Sequence, residues 1–512
     1  WLDTPADQKI AYADKMLDRS VFATWSQVKE MEQSGLVEVA SHTHNLHNGI
    51  NANPSGGQLP SVIAPEYKNG KYETEDAYKN RLKSDFTRSV QTLVNHIGKK
   101  PRVMVWPYGQ FNDVAVQLAR QAGMPHYFSL GEKIINKVGD KHIGRLLLNA
   151  ETDLNTVKNY LDGIDESKQI QRVLHVDLDY VYDADKAQQA KNLDKLIDRI
   201  YRYGVTTVYL QAFSDPDGDG VADALYFPNK YLPVRDDIFG RIAWQLQTRA
   251  GVQVYAWMPV LAFDLRKGVK EAEYVIDSRT GKPSTKAYLR LSPYNKQNVE
   301  IIKSIYNDLS FYAKFNGILF HDDAFLTDFE GAEGDHAEGM VSPQAKQKTQ
   351  DLIQLTHQLT DALKPYFLRG SYSLKTARNL YASVITNPNA EEWLAQNLKT
   401  LTDNYDTTAI MAMPYMENEQ PISQEEAYQW FVSLIENVKT QAPLDKVLFE
   451  FQAVNWRTQK PIPESELIDW MKLLQKNHIY SYGYYPDNFL TNQPDLNKMK
   501  PYFSVNTNVG KP

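Results

Sequence analysis

Three histidines lie close together in the segment SHTHNLH, residues 41–47. His42, His44 and His47 follow a short apolar run, LVEVA, which has the composition of a strand. Imidazole is a common zinc ligand, but a zinc site needs at least three ligands, and a hydrolytic site adds a carboxylate base. Two histidines five residues apart supply only part of such a site. From these residues alone, metal binding and a purely structural role both stay open.

A second group that could do chemistry is the acidic pair Asp322–Asp323 in FNGILFHDDA, residues 315–324. The segment resembles the fourth-strand signature F-D-G-x-D-x-D-x-E of chitinase-type barrels, in which the last residue is the general acid. It departs from that signature at Asn316, Leu319 and His321, so membership of the chitinase group is not supported. We predict that Asp323 protonates a glycosidic oxygen and that the charge of Asp322 raises its pKa. The alternative is a pair that only caps the next element or binds substrate.

Further acidic and aromatic side chains stand where predicted strands end. Such residues suit hydroxyl recognition and stacking against sugar rings. The predicted substrate-binding residues of this set are Asp177, Asp179, Trp257, His321, Tyr415, Glu450, Trp456 and Tyr484. Individual aromatics could instead pack the core, and Glu450 lies one layer deeper, where buried hydrogen bonding is at least as good an explanation.

The segment 321–340 contains seven acidic residues and no lysine or arginine. A charged run is usually a solvated loop, but this one leaves the predicted active-site face and would suit a cationic polymer. The segment DPDGDG, residues 215–220, resembles the start of a calcium loop. It has Tyr226 where an EF-hand has its bidentate glutamate, so we expect a loop that lends acids to the cleft.

The elements that would position these groups form two regions. Residues 1–165 alternate strand-like runs with helical patterns at 75–98 and 111–123, which is typical of part of an α/β domain. Residues 168–512 contain eight apolar strand candidates separated by helical patterns, which predicts a (β/α)8 barrel. The eight candidates are residues 172–181, 205–213, 252–260, 316–324, 369–376, 408–415, 446–454 and 479–487.

Composition sets limits on the function. The chain has 512 residues, is 42% hydrophobic and carries a net charge of −7, which argues against nucleic acid as a partner. It has no cysteine, so disulfides and thiolate chemistry are excluded. We find no apolar run long enough for a transmembrane segment.

Taken in order, the motifs WLDTPAD, SHTHNLHNGI, VWPYG, HVDLDYVYD, YAWMPVLAFDL, GILFHDDA, AIMAMPY and YGYYPDNFL resemble one family over essentially the whole chain. The family is the two-domain poly-β-1,6-N-acetylglucosamine N-deacetylases of the PgaB/HmsF type. The resemblance implies a polysaccharide deacetylase domain followed by a glycoside hydrolase barrel that cleaves the partly deacetylated biofilm polymer. It also implies a periplasmic, outer-membrane lipid-anchored protein and an export porin as partner.

For the deacetylase domain the resemblance implies His42 and His47 as ligands of zinc or another divalent metal, and Tyr108 of WPYG as a groove residue whose backbone amide faces the oxyanion. In the family a TFDDG stretch supplies the third ligand and the base, and it precedes the segment that corresponds to WLDTPAD. No such stretch precedes Trp1 here, so we expect an N-terminally truncated deacetylase half that is not competent in this chain.

For the barrel we predict endo-hydrolysis with Asp323 as acid, and with Asp322 orienting a substrate acetamido group that acts as nucleophile. A covalent route through a second carboxylate remains open, as does a conventional α-glucan or chitin hydrolase. A barrel that binds and guides cationic polymer to the porin without cleaving it is the alternative from a different functional class.

Overall fold

The computed structural model describes residues 2–12, 14–131, 135–150, 152–161, 170–284, 288–331, 341–370, 373–418 and 420–506. The chain divides into two compact units. The first is Trp1–Ile164 with Leu368–Ser373, and the second is Asp165–Phe367 with Leu374–Pro512. The domain boundary predicted between residues 165 and 168 falls outside the described residues.

The first unit mixes helices with short strands. Its strands are β1 (Lys9–Tyr12), β2 (Lys15–Asp18), β3 (Gly49–Asn51), β4 (Gln58–Pro60), β5 (Tyr67–Lys68), β6 (Lys71–Tyr72), β7 (Val103–Val105), β8 (His126–Leu130) and β9 (His142–Arg145). Its helices are α1 (Trp25–Gln33), α2 (Glu75–Ile97), α3 (Asp113–Gln121) and α4 (Leu154–Leu161). Strands β7, β8 and β9 form a parallel sheet, and the other strands pair as antiparallel hairpins.

Helix α2 is the longest element of this unit, and its ends follow from its sequence. The Thr74 hydroxyl accepts a hydrogen bond from the Ala77 amide at the N-terminus, and Gly98 adopts a left-handed φ of 77° at the C-terminus. Tyr78, Leu82 and Phe86 recur every fourth residue on the buried face. The helix predicted over 75–98 is therefore observed almost unchanged.

The apolar run 36–42 was predicted as a strand and is not one. Only Ser41 pairs with the sheet, as an isolated parallel bridge to Met104. Leu36 and Val37 are exposed, so the apolar character of the run does not reflect burial in the sheet.

The second unit is a closed barrel of eight parallel strands, as predicted. Around the barrel the strands are β10 (Arg172–Val176), β11 (Thr207–Gln211), β14 (Gln253–Met258), β17 (Gly317–Phe320), β18 (Lys375–Tyr381), β19 (Thr407–Ala412), β20 (Val447–Gln452) and β23 (Tyr482–Tyr485). Most of their residues are buried on both faces, which explains why they appear as continuous apolar runs in the sequence. The predicted fold class is confirmed.

Helices separate successive barrel strands, and short hairpins extend the loops that follow some of them. The helices are α5 (Leu178–Val181), α6 (Lys186–Tyr203), α7 (Phe239–Gln245), α8 (Lys296–Tyr312), α9 (Pro343–Leu363), α10 (Ser383–Thr386), α11 (Glu391–Leu394), α12 (Leu398–Asn404), α13 (Pro414–Glu417), α14 (Gln424–Gln441), α15 (Glu464–Lys476) and α16 (Leu496–Phe503). The hairpin strands are β12 (Phe213–Ser214), β13 (Ala224–Leu225), β15 (Ile276–Asp277), β16 (Lys282–Pro283), β21 (Val454–Asn455) and β22 (Lys460–Pro461).

The fifth barrel strand is misplaced in the sequence prediction. It was predicted over 369–376, whereas the observed strand is β18, Lys375–Tyr381. Its sequence hides it, because Arg378 and Asn379 are polar and yet buried in the strand. Arg378 donates to the Tyr405 hydroxyl at 2.9 Å and to the Ala324 carbonyl at 2.8 Å, so both terminal nitrogens of its guanidinium have partners inside the fold.

Candidate functional site

The histidine loop of the first unit is fixed to strand β7. The Ser41 amide donates to the Val103 carbonyl at 3.0 Å, and the Val105 amide donates back to Ser41 at 2.8 Å. His42 Nδ1 lies 2.7 Å from the Val105 carbonyl, which requires the proton of a neutral ring to be on Nδ1. His42 Nε2 then accepts a hydrogen bond from His47 Nδ1 at 3.0 Å.

The same loop is tied to helix α2 by one carboxylate. Asp85 accepts hydrogen bonds from the His44 amide at 2.9 Å and from the Asn45 amide at 2.7 Å. One turn further along α2, the Ser89 hydroxyl contacts the Ser41 hydroxyl at 2.6 Å. His44 therefore contributes its backbone to the loop, and its ring is exposed.

Tyr108 closes one side of this pair. Its ring packs edge-on against His47, with ring centroids 4.5 Å apart, and its backbone has a left-handed φ of 57°. Partial burial and the neighbouring His42 lower the pKa of His47. A lowered pKa favours the neutral imidazole, which is the form that binds metal.

In the barrel, Asp322 lies directly after strand β17 and is held by three side chains. The Tyr288 hydroxyl donates to it at 2.9 Å, the Tyr381 hydroxyl at 2.8 Å, and His321 Nε2 lies 2.9 Å from its carboxylate. Burial opposes the charge, but the imidazolium and the two hydroxyls lower the pKa of Asp322 overall. The same contact raises the pKa of His321. Asp322 is thus an ionised carboxylate in a nearly water-free site.

Asp323 has a different environment, which corrects the role predicted for it. Its carboxylate accepts hydrogen bonds from the backbone amides of Val260, Leu261 and Ala262 at 2.6–3.0 Å, and its side chain is 0% exposed. Burial raises the pKa of Asp323, while the amides lower it. With every face enclosed, Asp323 anchors the loop after strand β14, and its position does not favour a general acid.

The DPDGDG loop supports Asp322 indirectly. Gly220 has a φ of 79°, and a Cβ atom there would lie 2.0 Å from the Tyr288 ring. The glycine therefore lets Tyr288 lie where its hydroxyl reaches Asp322. Asp215 accepts bonds from the amides of residues 218, 219 and 220 of its own loop. Within the described ranges, Asp215, Asp217 and Asp219 are the one close group of three side chains that could hold a metal.

Glu450 is a buried residue of the barrel interior. It accepts from Asn379 at 2.7 Å and lies 2.7 Å from His175 Nε2, and it is 1% exposed. Glu450 was predicted as a substrate contact. It instead orients His175, which agrees with the alternative that Glu450 makes buried hydrogen bonds. Trp257 is also buried, with its ring 5.2 Å from the rings of both His175 and His321, so it offers no open stacking face.

Asp177 and Asp179 differ in the number of hydrogen-bond and ion-pair partners that they have. Asp179 binds Arg235 at 2.6 Å, and it accepts from the Tyr226 and Ser214 hydroxyls and from the Asp215 amide. The carboxylate of Asp179 therefore already has protein partners for both of its oxygens. Asp177 has one carboxyl oxygen with no partner in the described structure, and burial, together with neighbouring carboxylates, raises its pKa to about 8.

The remaining predicted aromatics separate into two groups. Tyr484 is buried and donates to Asp487 at 2.6 Å, and Tyr415 donates its hydroxyl to Glu466 of helix α15, so both face the helix layer. Trp456 is half-buried beside Tyr485, with ring centroids 6.3 Å apart, and stays a candidate for substrate contact. The structure describes the acidic segment 321–340 only as far as residue 331. Within that part, Glu330 is buried and forms an ion pair with Arg290.

With this geometry in view, comparisons identify the relatives of the chain. The family described as "Hypothetical glycosyl hydrolase family 13" matches residues 175–485, and the polysaccharide deacetylase family matches residues 6–127. The poly-β-1,6-N-acetyl-D-glucosamine N-deacetylase of Escherichia coli K12 is 39% identical over 99% of this chain and 78% of that protein. The chain belongs to the poly-β-1,6-N-acetyl-D-glucosamine N-deacetylase family.

Other relatives match a smaller part of this N-deacetylase-family chain. The Staphylococcus aureus N-deacetylase (strain N315) is 28% identical over 27% of this chain and 42% of its own. The PgaB (BpsB) glycoside hydrolase domain from Bordetella bronchiseptica has a TM-score of 0.61 at 40% identity, over 66% of this chain and all of that domain. The predicted family and hydrolase class are confirmed. None of the helices described here combines the length and apolarity needed to cross a membrane.

Polysaccharide deacetylases are generally metal-dependent, and the histidine pair fits two ligand positions of such a site. The fit rests on the 3.0 Å approach of His42 Nε2 to His47 Nδ1 and on the lowered pKa of His47, which favours the neutral form of that ring. Among the residues that the structure describes, no third side chain joins this pair in a possible metal group.

Sequence reasoning missed several residues of the N-deacetylase-family barrel site. Tyr288 and Tyr381 bind Asp322, Glu417 lies next to Tyr381, and Tyr485 packs against Trp257 at 5.4 Å. Tyr288 lies in the segment after strand β14 and Glu417 ends the short helix α13, and only the closed barrel brings them to Asp322 and Tyr381. Tyr485 alone had a signal, since it is the last residue of a strand.

Proposed function

We propose that the barrel hydrolyses β-1,6-linked glucosamine polymers in which some units carry an acetamido group and others a free amine. One observation carries this proposal. Asp322, at the C-terminal end of strand β17, is an ionised carboxylate held by two tyrosine hydroxyls and a histidine at the mouth of a closed barrel. Carboxylates at this place stabilise the positive charge that develops on a sugar ring during glycoside hydrolysis.

Two groups of the chain share the chemistry in this proposal. The charge of Asp322 orients the acetamido group of the bound sugar or stabilises the oxocarbenium-like transition state. A second carboxyl must protonate the departing oxygen, and Glu417 is suited to this, because burial raises its pKa to about 7. Glu417 accepts from the Ala382 amide at 2.8 Å, next to Tyr381, which itself binds Asp322. Two carboxyl groups with divergent pKa values match an acid and an ionised partner.

We assign the first unit, as part of a full-length protein that supplies the remaining metal ligand, to de-N-acetylation of the same polymer, as the name of the Escherichia coli relative suggests. His42 and His47 would hold a zinc ion, which when bound supplies an activated water and polarises the amide carbonyl. Of the residues here, His42 is oriented through Val105, and Tyr108 forms one wall beside His47.

The setting of the protein is proposed on the family resemblance. We place the protein in the periplasm, anchored to the outer membrane by a lipid, with an export porin that receives the processed polymer. Fractionation of cells that express the full-length protein would test this, and recovery of the protein in the cytoplasm would contradict it.

The barrel activity is testable with the chain as it is. Partly deacetylated β-1,6-glucosamine oligomers are incubated with the wild-type chain and with Asp322→Asn, and the products are sized by mass spectrometry. We expect shorter oligomers with the wild type and a loss of ~10²–10⁴-fold in rate for Asp322→Asn, the range associated with a removed catalytic carboxylate. Binding without shortening in both chains would contradict hydrolysis and would favour a barrel that guides polymer without cleaving it.

A further inference from the structure

Asp177 lies where barrel strand β10 ends, and most of its surroundings are acidic. Asp179, Asp215 and Asp487 are near enough to disfavour its charge, and Tyr180 and Tyr485 are the other titratable groups that face it. Its side chain is only 8% exposed, and one carboxyl oxygen is buried with no partner among the described residues. An uncompensated buried carboxylate is costly unless a proton or a cation neutralises it.

The arginines closest to this cluster already form ion pairs with other carboxylates. Arg235 pairs with Asp179 at 2.6 Å, and Arg199 pairs with Asp487 at 2.6 Å and 2.8 Å. Asp215 is bound by amides of its own loop rather than by a cation. The described part of the protein therefore offers no lysine or arginine to Asp177, and the missing positive charge has to come from a ligand or a proton.

A second, independent observation also points to a ligand at this place. His175 Nδ1 and the indole nitrogen of Trp257 are buried without partners in the described structure, although their side chains are only 4% and 5% exposed. Both rings pack against Tyr485, at 5.6 Å and 5.4 Å, and Tyr485 is the hydroxyl neighbour of Asp177. Buried polar groups are nearly always hydrogen-bonded, so unpaired groups on two rings that share Tyr485 as a neighbour call for a partner such as a bound molecule.

We propose that Asp177 receives the ammonium group of a de-N-acetylated glucosamine unit, and that Asp177 gives up its proton to the solvent when this ammonium binds. The inference rests on the proposed function, because it names the part of the substrate that one residue recognises. No covalent bond changes in this step. The carboxyl loses one proton to the buffer, and the ammonium of the sugar replaces that proton as the neutralising charge.

The exchange has a consequence for specificity. An acetylated unit has no positive charge, so it leaves the proton on Asp177 and gains no ion pair. A glucosamine unit gains a charge-assisted hydrogen bond in a site shielded from water. Asp177 is thus a residue that makes the barrel prefer polymer after deacetylation.

The test counts protons by calorimetry. A β-1,6-linked glucosamine tetramer is titrated into the Asp322→Asn chain, which keeps the ligand intact, in two buffers with different ionisation enthalpies. At pH ~6 a sugar amine is cationic, since amino groups of this kind have a pKa near 8. We expect release of about one proton per tetramer, and close to none for the fully acetylated tetramer.

Two variants in the same background make the test specific. Asp177→Asn should lose most of the proton release and bind the glucosamine tetramer ~10–100-fold more weakly, as expected for loss of a charged hydrogen bond. Asp217→Asn removes one negative charge from the exposed acidic loop nearby and should keep the release. Tight binding without proton release, or an unchanged release in Asp177→Asn, would overturn the assignment. If the wild-type chain neither binds nor shortens the polymer, the proposed function falls and the assignment with it.

Discussion

Asp322 and Asp323 are neighbours in sequence, yet their carboxyl groups serve different parts of the protein. Asp322 contacts side chains that can respond to a substrate, namely two tyrosines and a histidine. Asp323 contacts only the rigid backbone of residues 260–262 apart from a longer approach to His321 at 3.8 Å. A carboxylate that is fully buried against three backbone amides is out of reach of a sugar.

This difference predicts that Asp323→Asn mainly lowers stability, whereas Asp322→Asn mainly lowers the rate of cleavage. Asp323→Asn should reduce the free energy of unfolding by ~2–4 kcal/mol, because the amide group presents N–H donors to N–H donors in a buried site. Asp322→Asn should reduce stability much less and cleavage much more. Denaturant unfolding and the oligomer assay on both variants measure this, and a stable but inactive Asp323→Asn would restore Asp323 as the acid.

At the scale of elements, the histidine loop depends on helix α2, which follows it in the chain. Asp85 holds two consecutive loop amides, and Ser89 on the same helix face holds Ser41. The loop would otherwise be free to separate the rings of His42 and His47, since the residues between them form no helix or strand. Asp85 is in this sense a positioning residue for the pair.

We expect Asp85→Ala to weaken binding of Co²⁺ by ~10–100-fold, the range found when groups that orient metal ligands are removed. Absorbance of the Co²⁺ complex gives both the affinity and the coordination geometry. Asp76→Asn, an exposed change in the first turn of the same helix, is the matched control and should bind Co²⁺ as the wild type does. Unchanged Co²⁺ binding and spectrum in Asp85→Ala would show that the loop holds its shape without this carboxylate.

Strand β23 shows how an element decides which of two adjacent tyrosines faces the barrel interior. Successive side chains of a strand point to opposite faces. Tyr484 packs on Phe503 of helix α16 at 5.3 Å, while Tyr485 packs on Trp257 inside the barrel mouth. The sequence YGYYPD contains both tyrosines and does not indicate the register of the strand, so it could not show that Tyr484, the predicted contact, is buried against the helix layer.

At the scale of the whole molecule, the raised pKa of Asp177 links stability to pH. Its folded-state pKa is about 8, whereas its ordinary value is 3.8, so between these values the folded chain binds more protons than the unfolded chain. The free energy of unfolding therefore falls as the pH rises through this window, and the contribution of Asp177 is lost above pH ~8.

Asp177→Asn should flatten this dependence, because an amide does not titrate. We expect the variant to have a higher Tm than the wild type at pH ~8.5, where the wild type must hold a buried charge among other carboxylates, and a smaller advantage at pH ~5. Thermal unfolding across this range measures the difference between the two chains. Parallel pH profiles of Tm would contradict a protonated Asp177 in the folded state.

The fold class was within reach of the sequence because a parallel barrel buries both faces of each strand. Seven of the eight runs were located by their apolar residues, and the eighth, β18, was misplaced because Arg378 and Asn379 are buried polar residues. The family was recognisable for a similar reason, since motifs such as SHTHNLH and GILFHDDA are contiguous in the chain. His42, His47 and Asp322 were found in this way.

Roles that depend on orientation were decided only by the tertiary structure. The sequence could not separate Asp322 from Asp323, or Tyr484 from Tyr485, because burial and hydrogen bonding act on side chains that point in opposite directions from adjacent residues. Nor could it show that Asp179 has an arginine partner whereas Asp177 has none among the described residues, since Arg235 and Arg199 come from distant segments. Contiguous motifs determined what the protein is, and contacts across the barrel determined which of its residues are free to act.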